Sequence, residues 1–208
     1  MKVVLYGASG MIGSRILEEL LSRGHQVTAV VRNPKKITAA GVRVLTGDAT
    51  EVDSVAETAK GADAAISAYA PPQGEEATLS AAAYALLDGL AAAGVKRLIM
   101  VGGAGSLEVA PGVPLVDAPG FPEAYRDIAM AHRDVLPILK ESALDWSYLS
   151  PAAFIQPGER TGKFRLGGIT LLADEKGESR ISAEDYAVAL VDELENPQHI
   201  RLQFTVAY

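Results

Sequence analysis

Three glycines near the start of the chain have the spacing of a phosphate-binding turn. Gly7, Gly10 and Gly13 follow a short apolar run and open a segment with helical periodicity. Glycine adopts positive φ in tight turns, and without a Cβ it lets the backbone approach a pyrophosphate, whose charge is favoured at a helix N-terminus. Turns also collect glycine for conformational reasons alone, but the strand before and the helix after favour dinucleotide binding. The cofactor contacts predicted for this turn are Gly7, Ser9, Gly10, Met11, Ile12 and Gly13.

Basic residues at the end of the second predicted strand bear on which dinucleotide binds. NAD sites usually place an acidic residue about twenty positions beyond the glycines, where it binds the ribose 2′-hydroxyl. This sequence instead has Arg32, with Lys35 and Lys36 just beyond. A guanidinium can stack on adenine and also contact a 2′-phosphate. A solvated basic loop is the alternative interpretation, and we favour NADP(H) over NAD(H).

An acidic residue follows the third predicted strand. Asp48 stands where a side chain can meet the edge of an adenine ring. The alternative is that this segment caps the next helix, a role that fits Thr50 better than Asp48. We therefore predict that Asp48 contacts the cofactor.

The elements that must position these residues alternate between two periods. Helical patterns end at Gly24 and Gly94, a third runs from about 122 to 142, and a fourth has Ser182 as N-cap with Asp185 at N3. Strands that alternate with helices and are apolar on both faces belong to a parallel sheet covered on both sides. The sequence predicts one doubly wound α/β domain over residues 1–208. Its predicted strands are residues 3–6, 26–31, 42–46, 62–67, 97–102 and 145–150.

Composition argues against several classes of function. The net charge of −7 argues against nucleic acid or an anionic membrane as the main partner. The absence of cysteine excludes disulfides and thiolate chemistry, and three dispersed histidines argue against a metal site. Among them, His25 is interpreted as a solvated loop residue. The chain shows no secretory pattern and no apolar stretch that could span a bilayer, so we expect a cytoplasmic protein.

Several motifs together carry a family resemblance. The segments YGASGMIG, VVRNP, GDAT, VGGAGSL and ISAEDYA resemble the atypical short-chain dehydrogenase/reductase superfamily, in its NmrA-like branch. SPAAFIQPGERTGKFRLGG makes the chain most similar to bacterial NADH-flavin reductases, relatives of the biliverdin reductase B/flavin reductase family. The resemblance implies a Rossmann fold, a reduced nicotinamide bound across the strand ends, and hydride transfer to a flavin or similar planar acceptor. The further predicted cofactor contacts are Arg32, Asp48, Ala49, Ser67, Ala68, Gly102, Gly103 and Pro151.

The chain departs from the superfamily at its catalytic residues. Many members use a Tyr-x-x-x-Lys pair, in which the lysine lowers the tyrosine pKa for proton exchange. No lysine here has a tyrosine four positions earlier, and Tyr125 is followed by Ala129 at the lysine position. Ser106 comes after the place where a catalytic serine often stands. The catalytic candidates are therefore Tyr125, Ser106 and His132, and the usual tyrosine mechanism is not expected.

A flavin acceptor resolves that difficulty, because hydride passes directly to its ring and water can protonate the product. The glycine-rich segment 102–105 would leave room for a flat ring, with Ala104 as its floor. Tyr69 and Phe154 could form walls, although each aromatic residue is equally suited to core packing. The flavin, FMN or FAD, is expected as a substrate rather than as a tightly bound group.

Two classes of function fit the sequence. In the first, the protein is an NAD(P)H-dependent reductase acting on a flavin or quinone-like small molecule. In the second, it is a non-catalytic sensor of the NmrA type that binds the dinucleotide and changes partners with redox state. The missing tyrosine–lysine pair suits both, and we favour the enzyme. The sequence leaves a homodimer open.

Overall fold

All six predicted strands form, within one eight-stranded sheet. A computed structural model describes residues 1–208 and contains five α-helices and twelve strands. The strands are β1 (Lys2–Tyr6), β2 (Gln26–Val31), β3 (Arg43–Thr46), β4 (Ala64–Ser67), β5 (Arg97–Val101), β6 (Glu108–Ala110), β7 (Val113–Pro114), β8 (Asp145–Ser150), β9 (Phe154–Gln156), β10 (Arg165–Gly167), β11 (Arg180–Ser182) and β12 (Leu202–Ala207). The helices are α1 (Met11–Ser22), α2 (Val52–Thr58), α3 (Thr78–Ala93), α4 (Arg126–Lys140) and α5 (Ala183–Glu195).

The strand order defines a Rossmann-type sheet. It runs β10-β12-β8-β5-β4-β1-β2-β3, and every neighbouring pair is parallel except β10 with β12. The chain reverses its direction of winding between β1 and β4, and open α/β sheets bind ligands at such a switch point. The α/β fold predicted from the sequence is therefore confirmed. Two strands of the sheet were not predicted: β12, whose Phe204 and Val206 are fully buried, and the antiparallel edge strand β10.

Helices cover both faces of the sheet, each over its own core. One core joins the sheet to α1 and α5, and the other joins it to α2, α3 and α4. In α1, Ile16 and Leu20 lie one turn apart and are fully buried. Burying one such side chain contributes about 1.5–3 kcal/mol. These two layers hold the strand ends in fixed positions relative to one another.

The helix boundaries follow the predicted signals. Gly94 ends α3 in the left-handed region at φ 75°, where a residue with a Cβ is strained. The Ser182 hydroxyl accepts a hydrogen bond from the backbone N–H of Asp185, which confirms the predicted cap of α5. The long connection before α4 is ordered: it contains β6, β7 and the fully buried Val116.

One histidine prediction is wrong. His25, in the loop between α1 and β2, is buried rather than solvated. The Glu195 carboxylate lies 2.8 Å from its Nε2, so this ring nitrogen has a hydrogen-bond partner inside the protein. None of the five helices combines the length and the apolar composition needed to cross a bilayer.

Candidate functional site

The predicted cofactor residues meet at one edge of the sheet. Seven strands run parallel, so their carboxyl ends lie side by side. Several of these strands are followed directly by a glycine or another small residue. The residues at this edge are Gly7 after β1, Arg32 after β2, Gly47 and Asp48 after β3, Ser67 and Ala68 at the end of β4, Gly102 and Gly103 after β5, and Pro151 after β8.

A cleft of about 310 Å³ opens over the ends of β1, β2 and β3. We call it the glycine cleft. It brings together many of the residues predicted from three separate motifs. Its lining is Gly7, Ser9, Gly10, Val30, Val31, Arg32, Asn33, Lys36, Gly47, Asp48, Ala49, Ala68, Tyr69 and Ala70. Tyr69, predicted as a wall for the acceptor, thus lies in the glycine cleft, where its hydroxyl is 2.9 Å from the Thr78 hydroxyl.

The three glycines of the turn have different physical roles. Gly7 has φ +76°, and a Cβ there would clash with the carbonyl of Ala68. A Cβ on Gly13 would clash with the carbonyl of Gly7. Gly10 is different, because a Cβ would meet only the Gly7 oxygen, at an ordinary 3.4 Å. Gly7 and Gly13 are therefore required for the close backbone packing of the turn, on Ala68 and on Gly7 respectively. Gly10 instead leaves the space above the turn open.

The turn presents free backbone donors. Gly10 is the N-cap of α1 and supplies no side-chain cap. The backbone N–H groups of Met11, Ile12 and Gly13 donate to no acceptor in the protein. Together with the helix dipole they suit a phosphate group. Met11 is 41% exposed above this end of the helix.

Basic and acidic residues face each other at the far wall of the glycine cleft. The Asn33 side chain accepts a hydrogen bond from the Lys35 N–H and fixes a turn of 3₁₀-helix, and Lys36 but not Lys35 lines the cleft. Asp48 Oδ1 accepts from the Thr50 N–H and hydroxyl. These bonds, with the nearby Arg32 charge, hold the pKa of Asp48 below its usual value despite desolvation. The carboxylate is therefore charged at neutral pH.

The alternative role for Thr50 is wrong. Helix α2 has Glu51 at its N-cap and no side-chain cap at all. Thr50 instead closes a small turn with Asp48, donating both its N–H and its hydroxyl. Asn33 lines the cleft but was not predicted as a site residue, although an Asn-Pro pair after a strand is a turn signal.

The glycine-rich segment after β5 is filled by the protein itself. A Cβ on Gly102 would lie 2.5 Å from the Tyr148 ring, and one on Gly103 would lie 2.7 Å from the His132 Cβ. Gly105 packs in the same way on Ala129 of α4. The space that the missing Cβ atoms leave at 102, 103 and 105 is therefore filled by the protein's own side chains, and the flat ring over this segment stays a prediction. These glycines let α4 and β8 approach the end of β5, and Ala104 begins a half-buried turn beside them.

The hydrogen bonds of His132 fix its tautomer. The Tyr148 hydroxyl donates to the His132 carbonyl oxygen at 2.7 Å, so its oxygen accepts from Nδ1–H of the ring, 3.2 Å away. Nε2 is then the unprotonated nitrogen and makes no hydrogen bond to the protein. Burial lowers the pKa of His132 to about 4. The ring is neutral at neutral pH and offers a lone pair rather than a proton.

The structure separates the other two catalytic candidates. Tyr125 is 63% exposed at the start of α4, and its hydroxyl has no partner. Ala129 takes the lysine position and is buried against Gly105. The Ser106 hydroxyl donates to the Gly103 carbonyl oxygen and accepts from the Gln203 amide. The Ser106 hydroxyl therefore has both a hydrogen-bond acceptor and a donor within the protein.

A second cleft lies beyond the end of β8. It has a volume of about 660 Å³ and is formed by β9, β11, the turns that follow β9 and precede β11, and Tyr208. We call it the β9–β11 cleft. Phe154, the other aromatic residue predicted to contact the acceptor, lines it and is 72% exposed. Ala153, two residues after Pro151, connects this cleft to the strand edge.

The chain belongs to a family of NAD(P)H-binding proteins, whose profile matches residues 7–197. A provisionally named exported protein from Burkholderia pseudomallei is 53% identical, with 100% of both chains covered and a TM-score of 0.93. A provisionally named epimerase from Bacteroides thetaiotaomicron is 44% identical, covers 100% of this chain and 96% of its own, and has a TM-score of 0.93. A provisionally named NADH-flavin reductase from Streptococcus pneumoniae TIGR4 is 34% identical over 100% of this chain and 99% of its own, with a TM-score of 0.91.

These relatives confirm the predicted resemblance at the level of an NAD(P)H-binding, Rossmann-type protein. Their names differ in the chemistry and in the compartment that they state. The acceptor and the cytoplasmic location therefore stay predictions.

Proposed function

We propose that this protein is an NAD(P)H-dependent reductase that passes hydride to a flavin or a similar planar acceptor. Reduced nicotinamide supplies the hydride, from its C4 to N5 of an isoalloxazine, and a proton from water completes the reduction. Such a transfer depends mainly on the proximity and orientation of two rings. The work of this chain is then to bind and orient them.

The glycine cleft provides for the first of these tasks. The free N–H groups at the start of α1 suit the pyrophosphate, and the open side of Gly10 leaves space for it. Asp48 can accept a hydrogen bond from the adenosine portion. The dinucleotide would then extend across the switch point toward Gly102 and Pro151.

The single observation that carries the proposal is the absence of a placed proton donor. Tyr125 is exposed and has no lysine partner, because the tightly packed Ala129 occupies that position. His132 is neutral and holds its one ring proton in a hydrogen bond to Tyr148. An acceptor that needs no protein acid fits this arrangement better than a carbonyl or an alcohol.

NADP(H) is the dinucleotide that we propose. Arg32 and Lys36 are exposed and both line the glycine cleft, so two cations are available to a 2′-phosphate. No acidic residue takes the first position after β2, where a carboxylate would bind the two hydroxyls of an NAD ribose.

Epimerisation, the activity in the name of the Bacteroides thetaiotaomicron protein, is less well supported. The usual mechanism needs a tyrosine whose pKa is lowered by a neighbouring lysine. Tyr125 has no such neighbour, and Gly105 leaves no room for a longer side chain at Ala129.

A dinucleotide sensor is the second candidate, and the same missing acid favours it. NADPH oxidation by the purified protein, with riboflavin, FMN and a soluble quinone in separate reactions, distinguishes the two. We expect acceptor-dependent oxidation proportional to protein concentration. In the same assay Tyr125→Phe should lose less than about tenfold, well short of the roughly 10²–10⁴ typical of a general acid. Tight NADPH binding with no oxidation above background would exclude the reductase and support the sensor.

A further inference from the structure

The β9–β11 cleft has an aromatic wall that the fold leaves uncovered. The two strands pair in parallel, with Phe154 beside Arg180 and Ile155 beside Ile181. Side chains alternate along a strand, so Phe154 and Arg180 face the cleft, while both isoleucines pack on the core and Ile181 also lines the cleft. Ile181 is 2% exposed and Phe154 is 72% exposed. An uncovered aromatic ring in a cleft of this size is typical of a small-molecule site.

Tyr208 forms a second aromatic surface in the same cleft. Its hydroxyl lies 2.9 Å from Asp185 Oδ2, which fixes the orientation of the ring. The Arg180 guanidinium lies 6.0 Å from the centre of that ring. The cleft therefore offers flat apolar surfaces whose polar ends are already paired within the protein.

The rim of the cleft is held rigidly by acidic side chains of α1 and α5. The backbone N–H of Gly158 donates to Glu184, and those of Thr161 and Gly162 donate to the fully buried Asp185. Arg160 makes two hydrogen bonds to Glu19 of α1, one to each carboxylate oxygen. A rim fixed in this way does not lose conformational freedom when a ligand binds. The cleft is therefore preorganised.

The charges in the cleft disfavour an anionic ligand. Its charged lining residues are Glu159, Glu178 and Arg180, a sum of −1. Arg180 is already paired, with its Nε 3.6 Å from Glu178. A phosphate brought here would meet two carboxylates and a single cation, Arg180, whose charge the Glu178 carboxylate offsets.

We propose that the β9–β11 cleft binds the acceptor of the reductase, and that this acceptor is an uncharged planar redox ring, of the riboflavin or quinone kind, rather than FMN or FAD. The inference rests on the proposed function. Its location is argued from Ala153, which lines the cleft two residues beyond Pro151, at the sheet edge toward which a dinucleotide bound in the glycine cleft would extend. Phe154 and Tyr208 supply the stacking surfaces.

Riboflavin and FMN provide the test, since they share one ring and differ by the phosphate. At saturating NADPH we expect kcat/KM for riboflavin to exceed that for FMN by about tenfold, because like charges repel across the exposed rim. Added salt should narrow this ratio by screening the carboxylates. Equal or better use of FMN would overturn the inference while leaving the reductase intact. Failure to reduce any acceptor would overturn the proposed function itself.

Substitutions of the residues that line the cleft test whether they cause the preference for riboflavin over FMN. Glu178→Gln removes one carboxylate and frees Arg180, so FMN should gain severalfold while riboflavin changes little. Glu57→Gln removes an exposed carboxylate on α2 and should leave the ratio unchanged. Phe154→Ser should lower kcat/KM for both flavins while NADPH still binds, and because the side chain is exposed the fold should be kept. Unchanged kinetics in Phe154→Ser would show that the acceptor binds elsewhere.

Discussion

The two clefts of this protein are built in different ways. The glycine cleft is lined by short segments that directly follow β1, β2, β3 and β4. Its features come from backbone atoms and from side chains a few positions past a strand. The β9–β11 cleft collects residues 153, 154, 156–159, 171, 177–182 and 208, and acidic residues of α1 and α5 hold its rim. The first depends on local geometry and the second on long-range anchors, so substitutions should affect them independently.

The largest expected effect is at the glycine cleft. Gly10→Val should weaken dinucleotide binding by more than about 1,000-fold, or about 4 kcal/mol, because the new side chain fills the space left for the pyrophosphate. The fold should survive, since the protein itself leaves room for a Cβ there.

Gly168→Val is the matched control, because it adds the same side chain at another position with open space around it. It should bind NADPH normally by fluorescence titration. Normal binding by Gly10→Val, or its unfolding on circular dichroism, would contradict the assigned role.

The next effect concerns the anchor of the β9–β11 cleft. Asp185→Ala should lower the free energy of unfolding by about 3 kcal/mol, since it leaves the Thr161 and Gly162 N–H groups and the Tyr208 hydroxyl without their acceptor. Asp185→Asn, which keeps one acceptor oxygen, should lose less. Urea unfolding measures the difference.

Asp185→Ala also tests whether the clefts are independent. NADPH affinity should stay within about threefold of the wild type, since no glycine-cleft residue forms a hydrogen bond with Asp185. A parallel loss of NADPH binding would show that the two clefts are coupled, which contradicts their predicted independence.

Within the glycine cleft, Arg32→Glu tests how the dinucleotide is selected. It should weaken NADPH by about 2 kcal/mol more than NADH, because a phosphate partner is replaced by a like charge. Lys35→Glu makes the same charge change next to the cleft without lining it, and it should affect both dinucleotides little. Isothermal titration with both dinucleotides measures the difference. Equal losses in Arg32→Glu would exclude recognition of the 2′-phosphate.

The smallest effect concerns His132, which packs on Gly103 at the end of β5 and lines neither cleft. Its pKa is about 4 in the folded protein and 6.5 when unfolded, so the unfolded chain binds the proton first. The free energy of unfolding should therefore fall as the pH decreases from about 6.5 to about 4, and this contribution is constant above that range. Because the imidazole is half-buried, we expect about 1 kcal/mol.

His132→Asn keeps a donor toward Tyr148 and removes the titration. Denaturant unfolding at several pH values should show a shallower decline for this variant than for the wild type. Identical slopes would show that His132 does not carry the effect.

The glycine cleft was largely predictable because its determinants are close in sequence. Gly10 and Asp48 each follow a strand by a few residues, and parallel strands bring such residues to one edge. The role of Gly13 was also signalled, although its reason is contact with Gly7 rather than with a phosphate. The packing of Tyr148 and His132 against Gly102 and Gly103 was not predicted from the sequence. No local sequence pattern predicts which distant side chain will occupy the space that a glycine leaves without a Cβ.

By itself, the sequence determined the alternation of strands and helices, the positions of strands β1 to β5 along the chain, and the glycine turn between β1 and α1. These depend on periodicity and on backbone rules that act over a few residues. Only the tertiary structure decided that β12 joins the sheet, that His25 is buried, and that Phe154 stands beside Arg180 and Tyr208. Such juxtapositions depend on contacts between residues tens of positions apart, which no local pattern encodes.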